Sequence, residues 1–265
     1  MADHPDPEHP VVSREEWLVA RKALLAREKE EIHLRDAVNA QRLALPWVRL
    51  EKRYVFETPS GERDLTGLFD GRSQLIVYHF MFGPEWEAGC PGCSFLADHL
   101  DGTLPHLNHH DVTVVAVSRA PLAKIHAYQK RMGWRFPWVS SHGSDFNRDF
   151  HVSFTPEDLA SGTLQYNFGG IPAQQGGEEL PGLSAFYRGS GGEIFHTYSS
   201  YARGPESLIG TLMVLDRAPK GRKEPGVWWC PRVEYGPRCA QGNARPINPA
   251  SGELCKIRFC STSNG

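Results

Sequence analysis

The hydrophobic pattern separates one long solvated stretch from a set of short buried ones. Residues 17–43 scatter apolar side chains among Ala, Glu, Arg and Lys with no Gly or Pro, which predicts a long, mostly solvated helix. Ser13-Arg14-Glu15-Glu16 opens it as a capping box, and Pro46 ends it. Residues 52–57 suit a short strand, and Thr58-Pro59-Ser60-Gly61-Glu62 a turn. Residues 74–82 are apolar without alternation, as expected of a strand covered on both faces of a sheet. Residues 112–117 repeat that pattern. Between and after them, helices are predicted from Ser94 onward, over 121–132 and over 205–216. Residues 136–139 are short and extended, and 141–182 read mainly as loop with one helical turn. Residues 183–187 and 193–198 flank Arg188-Gly189-Ser190-Gly191-Gly192 and predict a hairpin. The succession gives an α/β fold: a mixed sheet flanked by helices, with a long N-terminal helix. The expected divisions are a disordered 1–10, a helical arm over 11–50, the α/β domain over 51–222, and an irregular tail over 223–265.

Composition narrows the setting. The 265 residues suit one α/β domain with additions, and 40% hydrophobic residues suffice for a sizeable core. A net charge of −2 favours no polyanion, so nucleic acid is not an expected partner. Residues 1–8 lack the zones of a secretory signal, and no apolar run approaches a membrane span. A cytoplasmic, reducing setting without membrane association is the expectation. There, a close cysteine pair reads as catalytic or metal-binding rather than as a structural bridge.

Such a pair is present. Cys90-Pro91-Gly92-Cys93 lies between the apolar run 74–82 and a helix starting near Ser94. A helix N-terminus favours a thiolate through its free amides and macrodipole. With Cys90 as the cap, Pro91 falls at the first helical position, where a missing N–H costs little. Cys90 is therefore assigned as the attacking thiol and Cys93, one turn in and more buried, as the resolving one. Trp86 could shield the sulfur and Glu87 could carry a proton, or both could be loop surface with Glu85. His79 reads either as a hydrogen-bonded core histidine or as a proton carrier near the dithiol. Trp134, Phe136 and Trp138 read as core. Asp145, Asn147, Arg148 and Asp149 suit a polar rim or ordinary capping, and His196, Tyr198, Tyr201 and Arg203 form a polar–aromatic group after the hairpin. Cys90, Cys93, His106 and His110 also fit a zinc-finger spacing. Against that reading, Asp101-Gly102 and Pro105 interrupt the helix that would carry both histidines, and Asp98 and Asp101 oppose DNA. No metal and no cofactor is expected.

Several segments together resemble DUF899, a branch of the thioredoxin-like superfamily described as predicted dithiol–disulfide oxidoreductases. They include Val11-Val12-Ser13-Arg14-Glu15-Glu16-Trp17, Leu45-Pro46-Trp47-Val48-Arg49, Tyr78-His79-Phe80-Met81-Phe82-Gly83-Pro84, Cys90-Pro91-Gly92-Cys93-Ser94-Phe95, Gly133-Trp134-Arg135-Phe136-Pro137-Trp138-Val139 and Phe195-His196-Thr197-Tyr198-Ser199. The resemblance spans about residues 10–222. It implies a thioredoxin-like core acting on a protein or low-molecular-weight thiol or disulfide. Thioredoxins carry a cis-proline opposite the dithiol; the matching stretch, Pro181-Gly182-Leu183-Ser184-Ala185-Phe186, places Ser184 there. The dithiol also reads Pro-Gly rather than Gly-Pro.

Two other functions compete. A peroxiredoxin-like thiol peroxidase would oxidise one thiol to a sulfenic acid, but Pro84 is one residue too close to Cys90 for the peroxidatic motif and the hydroxyl is missing. A non-catalytic binding protein could use the same scaffold. The long first helix suits either a homodimer arm or a packed cover. In the tail, Cys230, Cys239, Cys255 and Cys260 are separated by eight, fifteen and four residues, which do not form paired zinc-ligand units. That composition suits a disordered appendix or a shifted reading frame.

Overall fold

The structure, a computed structural model, describes residues 9–222 and 231–235. The expected disorder before residue 9, and most of the tail, lie outside the described residues. By internal contacts the chain divides after Trp47.

In the first unit, α1 (Arg14–Leu43) starts at the expected cap. Glu16 N–H donates to Ser13 Oγ at 3.2 Å, and Ser13 N–H donates to Glu16 Oε2 at 2.9 Å. None of the helix's residues is buried. It is held along its own surface by pairs such as Arg21–Glu28 at 2.8 Å and by Arg14 over the Trp17 ring.

The second unit is a mixed eight-stranded sheet. Its strands are β1 (Val48–Arg49), β2 (Val55–Thr58), β3 (Gly61–Asp64), β4 (Gln74–His79), β5 (Val112–Ser118), β6 (Trp138–Ser140), β9 (Gly182–Arg188) and β10 (Ile194–Tyr201). A separate hairpin is formed by β7 (Thr163–Tyr166) and β8 (Gly169–Pro172). The large sheet runs β1-β10-β9-β4-β5-β6-β2-β3. β4, β5 and β6 are parallel, and β9–β10 returns antiparallel beside β4. The helices are α2 (Leu65–Leu68), α3 (Pro91–Leu100), α4 (Leu104–His109), α5 (Leu122–Met132), α6 (Phe146–Asp149), α7 (Pro156–Ala160) and α8 (Gly210–Leu215). A parallel β4-α3-β5 unit with an antiparallel hairpin on the other side of β4 is the thioredoxin-like arrangement.

Strand alternation sends side chains to two cores. Tyr78, Val114 and Ala116 meet Phe95 and Leu96 of α3 and Ile125 and Tyr128 of α5, together with both cysteines. Leu75, Val77, Val115 and Val117 meet Leu65, Phe146, Phe150 and Phe186 on the opposite face. This is why 74–79 and 112–117 look apolar throughout.

Several expectations are corrected. The stretch read as turn and approach to Asp70-Gly71 contains β3, hairpinned onto β2. The segment 141–182 is not mainly loop: it holds α6, α7 and the β7–β8 hairpin. Thr155 and Asp158 form a capping box, and Asn167 and Phe168 both take positive φ in the two-residue turn. The last helix breaks into a 3-10 segment, Gly204–Leu208, and α8. Within the tail, Pro231–Tyr235 contains a short 3-10 turn anchored by Arg232, which bonds the Met132 carbonyl and pairs with Asp98 at 3.3 Å.

Candidate active site

The chain leaves β4 as an extended segment. Phe80 N–H bonds Val117 O at 2.9 Å and Ala120 N–H bonds Phe82 O at 2.8 Å. It turns at Gly83 and re-enters at Cys90, whose N–H donates to Met81 O at 3.0 Å. Cys90 caps α3 and Pro91 is its first residue, as expected. The two thiols are in hydrogen-bond contact, and the Gly92 and Cys93 amides point at the Cys90 sulfur. The Cys93 sulfur accepts from Met81 N–H at 3.5 Å and from the Tyr78 hydroxyl. Ser94 Oγ donates to Cys90 O at 2.9 Å and contacts the Tyr128 hydroxyl at 3.0 Å, which ties the cap to α5.

Both sulfurs lie inside the surface: Cys90 is 7% exposed and Cys93 3%. That reverses one expectation. The hydrogen bond that the Cys90 thiol donates to Cys93, together with burial, pushes Cys90 well above its ordinary value, although the Gly92 and Cys93 amides pull the other way. The helix tip alone does not make Cys90 ionise readily. Burial, with Cys93 beside it, also raises the Tyr78 phenol, and burial raises Tyr128 to about 12. Both hydroxyls therefore stay protonated and serve as donors.

The structure sorts the other predicted site residues. Trp86 packs against the cluster that contains the dithiol, and Glu87 is exposed, 3.9 Å from Lys124 Nζ. Trp134, Phe136 and Trp138 are core, in a tilted stack beneath Phe80 and Phe82. Asp145 and Asp149 pair with Lys52 at 2.9 and 2.7 Å, forming a rim with the Tyr54 hydroxyl. Asn147 is buried and accepts from Ser141. Arg203 pairs with Glu206.

His79 and Ser184 are not beside the dithiol. They face the opposite core, where His79 stacks on Phe146 and Phe150 at 5.5 and 5.6 Å. Gly182, not Ser184, pairs with the end of β4, because the register sets Gly182 opposite His79 and Ser184 opposite Val77. Among the described residues no peptide bond is cis, so Pro181 precedes β9 in trans. His79 Nε2 and Ser184 Oγ are 2.8 Å apart. Ser184 Oγ is 2.8 Å from Ser199 Oγ, which is 2.7 Å from His196 Nε2. This line of four crosses β4, β9 and β10, and His79 Nδ1 has no partner. Burial pushes the His79 imidazole down to about 3 and also lowers His196. Nearby, buried Glu179 accepts from Arg119 Nε at 2.5 Å and from Ser153 Oγ at 2.6 Å, and burial lifts its carboxyl to about 7.

Sequence reasoning missed Tyr78, Tyr128, Ser94 and Lys124. Tyr78 was read only as part of the apolar run 74–82, and the others carry no local signal of a role at the site. His106 lies on α4 and His110 just after it. Among the described residues no group of three or more His, Cys, Asp or Glu could hold a metal ion. Nor is any described helix long and apolar enough to cross a membrane.

Solved structures with some likeness include peroxiredoxin Q of Xanthomonas campestris, at 14% identity and TM-score 0.40, covering 60% of this chain and 90% of that one. Peroxidoxin BcpB of Mycobacterium tuberculosis has 12% identity and TM-score 0.41, over 64% and 97%. The mitochondrial 2-Cys peroxiredoxin of Plasmodium falciparum has 13% identity and TM-score 0.36, over 64% and 94%. Likeness this distant transfers no chemistry. No curated protein matches the chain. The model of one family matches residues 6–235, and the chain accordingly belongs to DUF899, described as a bacterial protein of unknown function.

Proposed function

We propose that the protein is a thiol–disulfide oxidoreductase working through Cys90 and Cys93. One observation carries the reading: the two sulfurs are in contact at the N-terminus of α3, with backbone amides directed at Cys90. Contact allows a disulfide to close without rearranging the helix, and the amides stabilise charge on Cys90 as it attacks or leaves. Cys90 is the attacking sulfur because it lies at the helix tip and is the more exposed of the two. Cys93 resolves, because its sulfur is held from behind by the Met81 amide and the Tyr78 hydroxyl and faces Cys90. In the oxidising direction Cys90 thiolate attacks a disulfide and expels one thiolate. Cys93 thiolate then attacks Cys90 Sγ and expels the second. The two thiol protons leave with the products, and the dithiol becomes a disulfide.

Thiol titration with redox-dependent mass tests this. The protein should interconvert reversibly between two free thiols in this pair and none. Cys90→Ser should abolish mixed-disulfide trapping and Cys93→Ser should prolong it. Identical behaviour of the two variants would refute the assignment of roles.

A further inference from the structure

We propose that the exchange partner of this dithiol is a low-molecular-weight disulfide rather than a disulfide in a folded protein. The inference rests on the thiol–disulfide reading above and specifies its substrate class. Two features of the fold carry it.

The first is a latched loop. Residues 83–89 lead from the extended segment after β4 into Cys90. Trp86 N–H closes a turn onto Gly83 O at 3.1 Å, and the indole lies so close over Gly83 that a Cβ there would sit 3.0 Å from two ring atoms. The same indole packs against the dithiol cluster. From α5, Lys124 Nζ donates to Pro84 O at 2.9 Å and Trp86 O at 3.2 Å, so one ammonium pins both ends of the turn. At the far end, Gly89 is wedged against Phe80 and Tyr128. The loop cannot slide, and Cys90 keeps only 7% of its surface.

The second is the neighbouring backbone. A polypeptide substrate docks beside a reactive sulfur by pairing its main chain with a free strand edge. The segment beside Phe80 and Met81 is Leu180-Pro181, because Gly182 pairs with His79. Neither residue offers a free N–H, and one carbonyl is occupied: Leu180 N–H donates to Val152 O at 2.9 Å, Pro181 has no N–H, and Pro181 O accepts the Tyr166 hydroxyl at 2.7 Å. Phe154 N–H bonds Glu178 O at 3.0 Å, and Ser153 stands opposite Glu179, so residues 178–180 already run antiparallel to residues 152–154. An extended chain finds no free N–H on Leu180 or Pro181. A small disulfide needs none, only a path for one sulfur along the S–S axis to Cys90.

The reaction balances as a two-electron exchange: the protein dithiol and RS–SR become the Cys90–Cys93 disulfide and two RSH, and the reverse holds when the protein donates the disulfide. Hydroxyethyl disulfide and insulin serve as probes against the reduced full-length chain. At equal disulfide concentration, hydroxyethyl disulfide should oxidise it at least about a hundredfold faster, since insulin must await local opening of the loop. Lys124→Met, which keeps the stem and removes the latch, should raise the insulin-to-small-disulfide rate ratio about tenfold, the weight of one charge-assisted hydrogen bond. Trp86→Ala should move the ratio the same way if the lysine variant folds poorly. Comparable rates with both probes in the wild type, or an unchanged ratio in both variants, overturn the inference and leave the thiol–disulfide reading standing. Oxidation by hydroperoxide alone, with both disulfides inert, overturns the inference and the exchange reading together. A pair that forms no internal disulfide even with diamide overturns both as well.

Discussion

Two buried titratable groups, His79 and Glu179, should oppose each other's effect on stability between pH 5 and 6.5. His79 titrates near 3 in the fold against an ordinary 6.5. The unfolded chain binds that proton first, so this contribution is complete above 6.5 and is lost as pH falls towards 3. Glu179 titrates near 7 against an ordinary 4.5. There the fold holds the proton longer, so the contribution is complete below 4.5 and is lost as pH rises to 7. Working the two curves from pH 5 to 6.5, His79 adds about 2 kcal/mol and Glu179 removes about as much. His196, also lowered by burial, acts with the sign of His79. Urea unfolding of the wild type should therefore vary less across that window than that of either single variant. Glu179→Gln should expose a rise of about 2 kcal/mol, and His79→Leu a fall of about 2 kcal/mol. Glu179→Gln keeps a carbonyl oxygen for Arg119 and offers an amide N–H to the Ser153 hydroxyl, and after His79→Leu the Ser184 hydroxyl keeps Ser199, so each variant should still fold. A flat profile in either variant would refute the assignment of that group.

Two further changes probe the dithiol side. Tyr78→Phe keeps the ring against Phe80 and removes the hydroxyl that bonds Cys93; it should slow the resolving step about tenfold, the weight of one hydrogen bond to a charged sulfur, seen as a longer-lived mixed disulfide. Gly89→Ala would put a Cβ 2.7 Å from one Phe80 ring carbon and 3.0 Å from Tyr128, so urea unfolding should show a loss of about 1–3 kcal/mol from overpacking.

What the sequence disclosed followed from how local each signal is. β4 and β5 were legible because both faces are covered, so their apolar character needs no partner to interpret it. The capping box of α1 was legible because its two residues close on each other. The β7–β8 hairpin was hidden because its turn uses Asn167 and Phe168 in the left-handed region, with no glycine to mark it. β3 was hidden for the opposite reason: its Gly61-Glu62 reads as turn, and pairing with β2 alone makes it a strand.

The site divides along the same line. Cys90, Pro91 and Cys93 act through a spacing of four residues, so the helix tip could be placed before any coordinates. What decides their reactivity is long-range. Tyr78 reaches Cys93 from the preceding strand, Lys124 reaches the loop from the following helix, and Tyr166 closes the docking segment from a hairpin that was read as loop. His79 shows the limit most sharply. Its place on a buried strand was evident, but a shift of one position along a strand exchanges the two faces of the sheet. Of its two sequence readings, a core histidine or a proton carrier near the dithiol, the core one fits its burial against Phe146 and Phe150. The pleat carries it to the other core, where Ser184 of β9 bonds its Nε2 and leads on to Ser199 and His196 of β10. A motif's neighbours in sequence are thus poor guides to its neighbours in space once a strand intervenes, and alternation from Tyr78 to His79 separates the donor that touches the sulfur from the histidine that does not.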